Sequence, residues 1–312
     1  MAGAALFTAR DHDNIASATP LPRCACIDVG SNTTRLLVAE ADGAGLRELV
    51  AERAFTHLGA AGAGEVGPDK IAEVASIVAR QVRLADELGV QSVRVIATAA
   101  VRQALDKRAL AAAIDAACGA TLEILSGEDE ARLAFAGAIG TLAEPPDGLL
   151  GVVDVGGGST ELVVGTAAGG VVWSVSLPVG SARLTHADLP SDPPTPAQLA
   201  ALRAKLGGLF GEIDAPQPAA AYAVGGSATS MQRLMGVALD CDALTRGLQT
   251  LVARPSHEVA LRLGLHVDRA RLLPAGILLL DAASRALDAP LALAGGGLRE
   301  GVVLEQLAGL AA

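Results

Sequence analysis

Two short stretches of this chain share one plan and lie a domain's length apart. Cys24 to Glu40 reads CACIDVGSNTTRLLVAE, and Leu149 to Gly165 reads LLGVVDVGGGSTELVVG. Each has an apolar strand, an Asp-Val-Gly, a turn of glycine, hydroxyl or amide residues, and a returning apolar strand. Asp28 and Asp154 are 126 residues apart, too far for a solenoid period and right for a duplicated domain. Glycines at 156–158 let backbone N–H groups turn inward and an anion approach closely. A returning strand follows them, which separates the motif from the dinucleotide fingerprint, where a helix must follow. The Walker loop, with its GxxxxGK[ST], is also absent. One such hairpin is equally well a plain glycine turn. Two further glycine turns change the balance: AYAVGGSATSMQRL, with Gly225 and Gly226, and LALAGGGLREGVV, with Gly295 to Gly297, each open a helix. The four turns together point to a nucleotide- or phosphate-binding cleft between two related α/β halves.

A chain of 312 residues with 51% hydrophobic content can bury a large core and is expected to form two domains. Its net charge of −10 argues against non-specific binding to nucleic acid or to an anionic membrane, and fits a soluble cytoplasmic protein. An anionic substrate stays compatible, because an arginine cluster or a divalent cation reverses the sign locally. Lysines are few (Lys70, Lys107, Lys205), so cationic work falls to arginine, the better phosphate fork. Cys24, Cys26, Cys118 and Cys241 are scattered and read as reduced thiols. Met1 to Pro22 lacks a basic start and a long apolar run, and is expected to be a flexible extension.

Along the chain, Pro68 to Gly89 has apolar residues at helical spacing, Val90 to Thr98 reads as a strand, and Ala99 to Gly119 as one helical stretch. Leu122 to Leu125 is a short strand. Ser126, with Asp129 three residues on, caps a helix that runs to Gly140. Glu144 to Gly148 is a linker, which divides the chain into an extension (1–22), a first α/β domain (23–147) and a second (148–312). Val171 to Leu177 is a strand and Ala197 to Phe210 a helix. After Gly225 the chain is mostly helical, with breaks expected at Arg254 to Ser256 and at Pro274.

The segments IDVGSNTTRLLV, ATAAVRQA, SGEDEARLAF, VVDVGGGSTELVVG, SLPVGSARLT, AVGGSAT and GGGLREGV together resemble the exopolyphosphatase and guanosine pentaphosphate phosphatase family. That family lies within the superfold of actin, sugar kinases and heat-shock ATPases. The resemblance runs from about Arg23 to the C-terminal helix. It implies an α/β fold of two ribonuclease H-like domains with a cleft between them. The first hairpin departs from the pattern, with Thr34 and Arg35 where many members carry an aromatic residue followed by His. Longer members add a helical domain resembling metal phosphohydrolases, and a chain ending near residue 312 is expected to be a short form.

Hydrolysis of a terminal phosphoanhydride needs donors for a polyanion, a divalent cation and a carboxylate that orients water. The backbone around Gly30, Ser31, Asn32, Gly156, Gly157 and Gly158, with the hydroxyls of Ser159 and Thr160, is expected to cradle the terminal phosphates. Asp28 and Asp154, at the ends of equivalent strands, are expected to hold Mg²⁺ or Mn²⁺. Glu128, Asp129 and Glu130 have a structural reason to sit in a first helical turn, since the helix dipole favours acids there. Glu161, on the hairpin just after Ser159 and Thr160, could reach the water or the metal and is the competing base, while the resemblance places the catalytic glutamate on Glu130. It also makes Arg102 the phosphate fork, whereas Arg35, Arg132, Arg183 and Arg299 are equally surface or helix-capping residues. Gly225, Gly226 and Ser227 fall where relatives in the superfold hold adenosine, and here are expected to line the cleft for a longer run of phosphates.

The reading is an exopolyphosphatase acting on inorganic polyphosphate. A guanosine pentaphosphate 5′-phosphatase yielding the tetraphosphate is the alternative. A sugar kinase or ATPase of the superfold, or a silent nucleotide sensor, would share the glycine turns. The resemblance suggests a homodimer, and the apolar helix from Glu300 to Leu310 packs either on the first domain or on a partner.

Overall fold

The computed structural model describes residues 21–43, 45–61, 64–235 and 239–311, so nearly all of the expected extension lies outside the described residues. The first half runs β1 (Arg23–Val29), β2 (Thr33–Asp42), β3 (Gly45–Phe55), α1 (Pro68–Glu87), β4 (Ser92–Ala97), α2 (Ala99–Gln103), α3 (Lys107–Cys118), β5 (Leu122–Ile124) and α4 (Gly127–Gly140). The second runs β6 (Leu150–Val155), β7 (Thr160–Thr166), β8 (Gly170–Leu177), α5 (Ser181–Asp188), α6 (Pro196–Gly211), β9 (Ala220–Val224), α7 (Gly225–Met235), α8 (Cys241–Val252), α9 (Ser256–Leu263), α10 (Val267–Ala286), β10 (Leu291–Leu293) and α11 (Leu298–Ala311).

The duplication is complete at the level of topology. One sheet has the order β3-β2-β1-β4-β5 and the other β10-β9-β6-β7-β8, so β6 to β10 repeat β1 to β5 in space. In both, the first three strands are antiparallel, β4 and β9 join β1 and β6 in parallel, and β5 and β10 add in parallel beyond them. Register is preserved too. Asp28 lies opposite Arg35 across the first hairpin, and Asp154 opposite Glu161 across the second.

Both faces of each sheet are covered. Ala25, Ile27 and Val29 of β1 face α1 and α3, while the alternate residues Cys24 and Cys26 face Val302, Val303 and Leu307 of α11. On the second sheet, Val152 and Val163 pack on Ala131, Phe135 and Ala138 of α4, and the other face packs on α5, α6, α8 and α10. The two inner helices are thus exchanged. The helix that follows the first sheet covers the second, and the last helix returns to cover the first. This settles the packing of the apolar C-terminal helix in favour of its own first sheet. At the crossing of α4 and α11, a Cβ on Gly301 would overlap the carbonyl oxygen of Leu133. Only glycine lets the two backbones approach this closely.

Two expectations change. The Ala99 to Gly119 stretch breaks at Ala104 to Asp106, because the Asp106 carboxylate accepts the N–H groups of Val66 and Gly67, both at 2.9 Å. Pro274 does not end a helix but sits inside α10. That helix is buried on most sides, through Leu272, Leu273, Ile277, Leu279 and Leu280, and this burial outweighs the lost backbone hydrogen bond. Gly45 to Phe55, charged residues included, forms the edge strand β3 because β2 offers it an antiparallel partner.

Candidate active site

The two hairpin turns close in the same way: Gly30 N–H donates to Thr33 O and Gly156 N–H to Ser159 O, each at 3.0 Å. These two amides are therefore engaged within the turns and are not phosphate donors, contrary to expectation, although both residues line the cleft. The next carbonyls are pinned from behind. Ser31 O accepts from Gly59 N and Asn32 O from Thr56 N and His57 N; Gly156 O accepts from Ser181 N, and Gly157 O from Ala182 N and Arg183 N in the first turn of α5. In a trans peptide the N–H points opposite to the preceding carbonyl. The N–H groups of Asn32, Gly157 and Gly158 are thus aimed away from these supports. Gly180 runs so close behind the second turn that a Cβ there would overlap Gly157 and Gly158.

Between the turns, the start of α10 and the loop before α11 lies a cavity of about 160 Å³. Asp28, Ser31, Asn32, Glu130, Asp154, Gly156, Gly157, Gly158, Ser159, Glu161, Gly225 and Gly226 line it, as the sequence anticipates. Glu130 reaches it from the first turn of α4, whose N-cap Ser126 accepts the Asp129 N–H at 3.0 Å. Burial raises the pKa of Glu130 to about 7, and Asp28 and Asp154 add to the rise, while a close ion pair with Arg102 opposes it. Burial likewise lifts Asp154 to about 6 and raises Asp28. Glu161 is pushed well up, by burial and by the charges of Glu130 and Asp154, although Ser176 Oγ donates to its Oε1 at 2.8 Å.

Three predicted residues face elsewhere. Arg102 does not line the cavity; its Nη1 is held by Glu130 and by Leu125 O, the latter at 2.7 Å, so it supports the carboxylate rather than forking a phosphate. Thr160 Oγ1 donates to Val179 O at 2.7 Å and is fully buried behind the hairpin. Ser227 is buried against Gly276, where only a missing Cβ leaves room for its hydroxyl.

The cleft's cations are Arg35, Arg269 and Arg299. Burial and neighbouring arginines depress Arg35 to about 9 and Arg269 to about 10. Neither forms an ion pair with a carboxylate among the described residues. Arg132 and Arg183 are surface residues, bonded to Glu305 and Gln103. Arg269 escaped the sequence reading, and a signal for it existed. Arg269 and Arg299 each sit in the first turn of a helix, where the dipole disfavours a cation, so some other anion must justify them. The same turn of α11 holds Glu300, which accepts the Gly297 N–H at 2.8 Å and joins the acids of the cleft.

The donor set suits a hydrated divalent cation. Asp28 Oδ1 is shielded from solvent without a hydrogen-bond partner, and Asp154 Oδ1 lies where any side chain at Gly225 would collide with it. Among the described residues no three His, Cys, Asp or Glu side chains form a closed ligand group. Two carboxylates that leave positions for water and phosphate oxygens match magnesium rather than structural zinc.

Among the described residues no helix is long and apolar enough to cross a membrane. Residues 37–309 match the Ppx/GppA phosphatase family. Exopolyphosphatase 1 of Mycobacterium bovis is 30% identical over 305 residues, covering 91% of this chain and 88% of that protein. Exopolyphosphatase 2 of Mycobacterium tuberculosis is 35% identical over 195 residues, covering 59% of this chain and 60% of that protein, so the chain spans under two thirds of that relative's length. The crystal structure of the Aquifex aeolicus member of the Ppx/GppA protein family superimposes with a TM-score of 0.80 at 27% identity, covering 93% of this chain and 99% of that one.

Proposed function

The chain belongs to the Ppx/GppA phosphatase family, and from that premise we propose that it is an exopolyphosphatase, a hydrolase that releases orthophosphate from the end of inorganic polyphosphate. The observation that carries this reading is the pair of recessed arginines, Arg35 and Arg269, which line the cleft as cations and, among the described residues, form no ion pair with a carboxylate. Such cations are costly unless an anion of several charges joins them. Glu130, Asp154 and Glu161 across the cleft supply the acids that phosphoanhydride hydrolysis requires.

In this reading the N–H groups of Asn32, Gly157 and Gly158 hold the terminal phosphate, and Arg35, Arg269 and Arg299 hold the rest of the chain. Arg102 fixes Oε1 of Glu130 through a close ion pair and opposes the rise that burial imposes on its pKa. Glu130 is the general base in this reading, and its Oε2 accepts the proton of the attacking water. Glu161, held by the Ser176 hydroxyl, lines the same cleft from the hairpin. Mg²⁺ or Mn²⁺ at Asp28 and Asp154 would offset the charge that develops on the phosphoryl oxygens.

Orthophosphate release is to be measured on polyphosphates of graded length, with guanosine pentaphosphate and ATP alongside. The reading expects Mg²⁺-dependent release from polyphosphate, and Glu130→Gln is expected to lower kcat on the order of 10²- to 10⁴-fold. An unimpaired variant overturns the base. Release from guanosine pentaphosphate alone, or ATP use that depends on a sugar, overturns the substrate.

A further inference from the structure

His57 touches both walls of the cleft. Its backbone sits at φ 51°, in the left-handed region that a non-glycine residue rarely adopts. That conformation carries its N–H to Asn32 O at 3.1 Å and its ring Nδ1 to Asn32 Oδ1 at 3.0 Å. The other ring nitrogen, Nε2, lies 3.4 Å from Oδ2 of Asp268, on the opposite half and next to Arg269. Phe55, two residues earlier, stacks on the His57 ring at 5.9 Å between centroids and on His266 of the far wall at 4.0 Å. The stack and the His57–Asp268 contact both join the two halves.

Asn32 gives the arrangement its consequence. With Oδ1 engaged by His57, its Nδ2 is shielded from solvent and has no partner, on a residue that lines the cavity. A shielded amide donor without an acceptor costs stability unless a ligand supplies one. The opposite amide orientation would present an acceptor oxygen to a cleft built for anions.

We infer that His57 is a positioning residue: its Nδ1–H holds Asn32 with Nδ2 offered to a phosphate oxygen and, when the ring carries both protons, its Nε2–H reaches Asp268 on the wall that carries Arg269. His57 does not touch the reacting atoms. Its effect belongs to substrate affinity, and it rests on the polyphosphate reading of the same cleft.

The test compares His57→Ala, Asp268→Asn, Asn32→Ala and the double variants, with unfolding temperatures recorded for each. His57→Ala is expected to raise KM for polyphosphate about tenfold with kcat within twofold, the size of one hydrogen bond to a charged group. Asp268→Asn should raise KM less. His57→Ala should add nothing in the Asn32→Ala background, because the two losses are one interaction. His57→Gln, which keeps an N–H for Oδ1, should recover part of the affinity even if His57→Ala folds poorly. Calorimetry with tripolyphosphate, which needs no turnover, should give the same ranking. A loss confined to kcat, additive effects, or no recovery by His57→Gln overturns the role of His57. A wild-type protein that binds tripolyphosphate in this ranking but does not hydrolyse polyphosphate instead overturns the proposed function alone.

Discussion

The two hairpins have one backbone and opposite chemistry. Both end their first strand in an aspartate, both close the turn with a 3.0 Å bond between glycine N–H and the carbonyl three residues on, and both have that next turn pinned from behind. At the position facing the aspartate, however, the first carries Arg35 and the second Glu161. Duplication supplied two matching frames, and a single substitution site within them separates a jaw with a cation beside its aspartate from a jaw with a second acid. Backbone geometry is set by turn chemistry and register, which tolerate either residue. The side chain at that one site decides what each frame does.

The largest effect is expected from erasing the difference. Arg35→Glu makes the first jaw a copy of the second and places one more acid against Asp28, so kcat/KM for polyphosphate should fall on the order of 10³-fold. Activity within tenfold of wild type would show that the two jaws are interchangeable.

A smaller effect is expected from Glu161→Gln. Glutamine keeps the size of Glu161 and an oxygen that accepts the Ser176 hydroxyl, so kcat should fall about tenfold or less, far below the loss from Glu130→Gln. If the ranking reverses, the base lies on the hairpin and not on α4.

The smallest effect is on stability. Asp28, Glu130, Asp154 and Glu161 all have folded pKa values above their unfolded ones, which lie near 4. Between those values the folded state binds more protons than the unfolded state, so stability must fall as pH rises. With Asp154 at about 6 and Glu130 at about 7, the fall should run from pH 4 to beyond pH 7. The metal-free protein should therefore melt at a higher temperature at pH 5.5 than at pH 8, Glu161→Gln should narrow the gap, and Mg²⁺ should raise Tm more at pH 8. A Tm indifferent to both pH and Mg²⁺ would mean that the acids do not crowd one another.

Much of this was legible in the chain itself, wherever the cause was local. Alternating apolar residues, Asp-Val-Gly turns and the Ser126 cap act over a few residues, so the hairpins, the placement of Asp28 and Asp154, and Glu130 in a first helical turn could be read directly. The same limit explains the misses. Gly30 and Gly156 were right as turn residues and wrong as donors, since the acceptor of each N–H is a matter of turn closure. Thr160 and Ser227 neighbour cleft residues in sequence but face the core behind them.

The sequence by itself determined two related α/β halves, their glycine turns and the acids that end their strands, because each follows from periodicity and backbone freedom over short spans. Only the tertiary structure decided that α4 and α11 exchange sheets, that Arg102 pairs with Glu130 from outside the cavity, and that Arg35, Arg269 and Arg299 meet in one cavity. These contacts join residues far apart along the chain, and what selects them is the burial and charge of the assembled cleft, which no local spacing encodes.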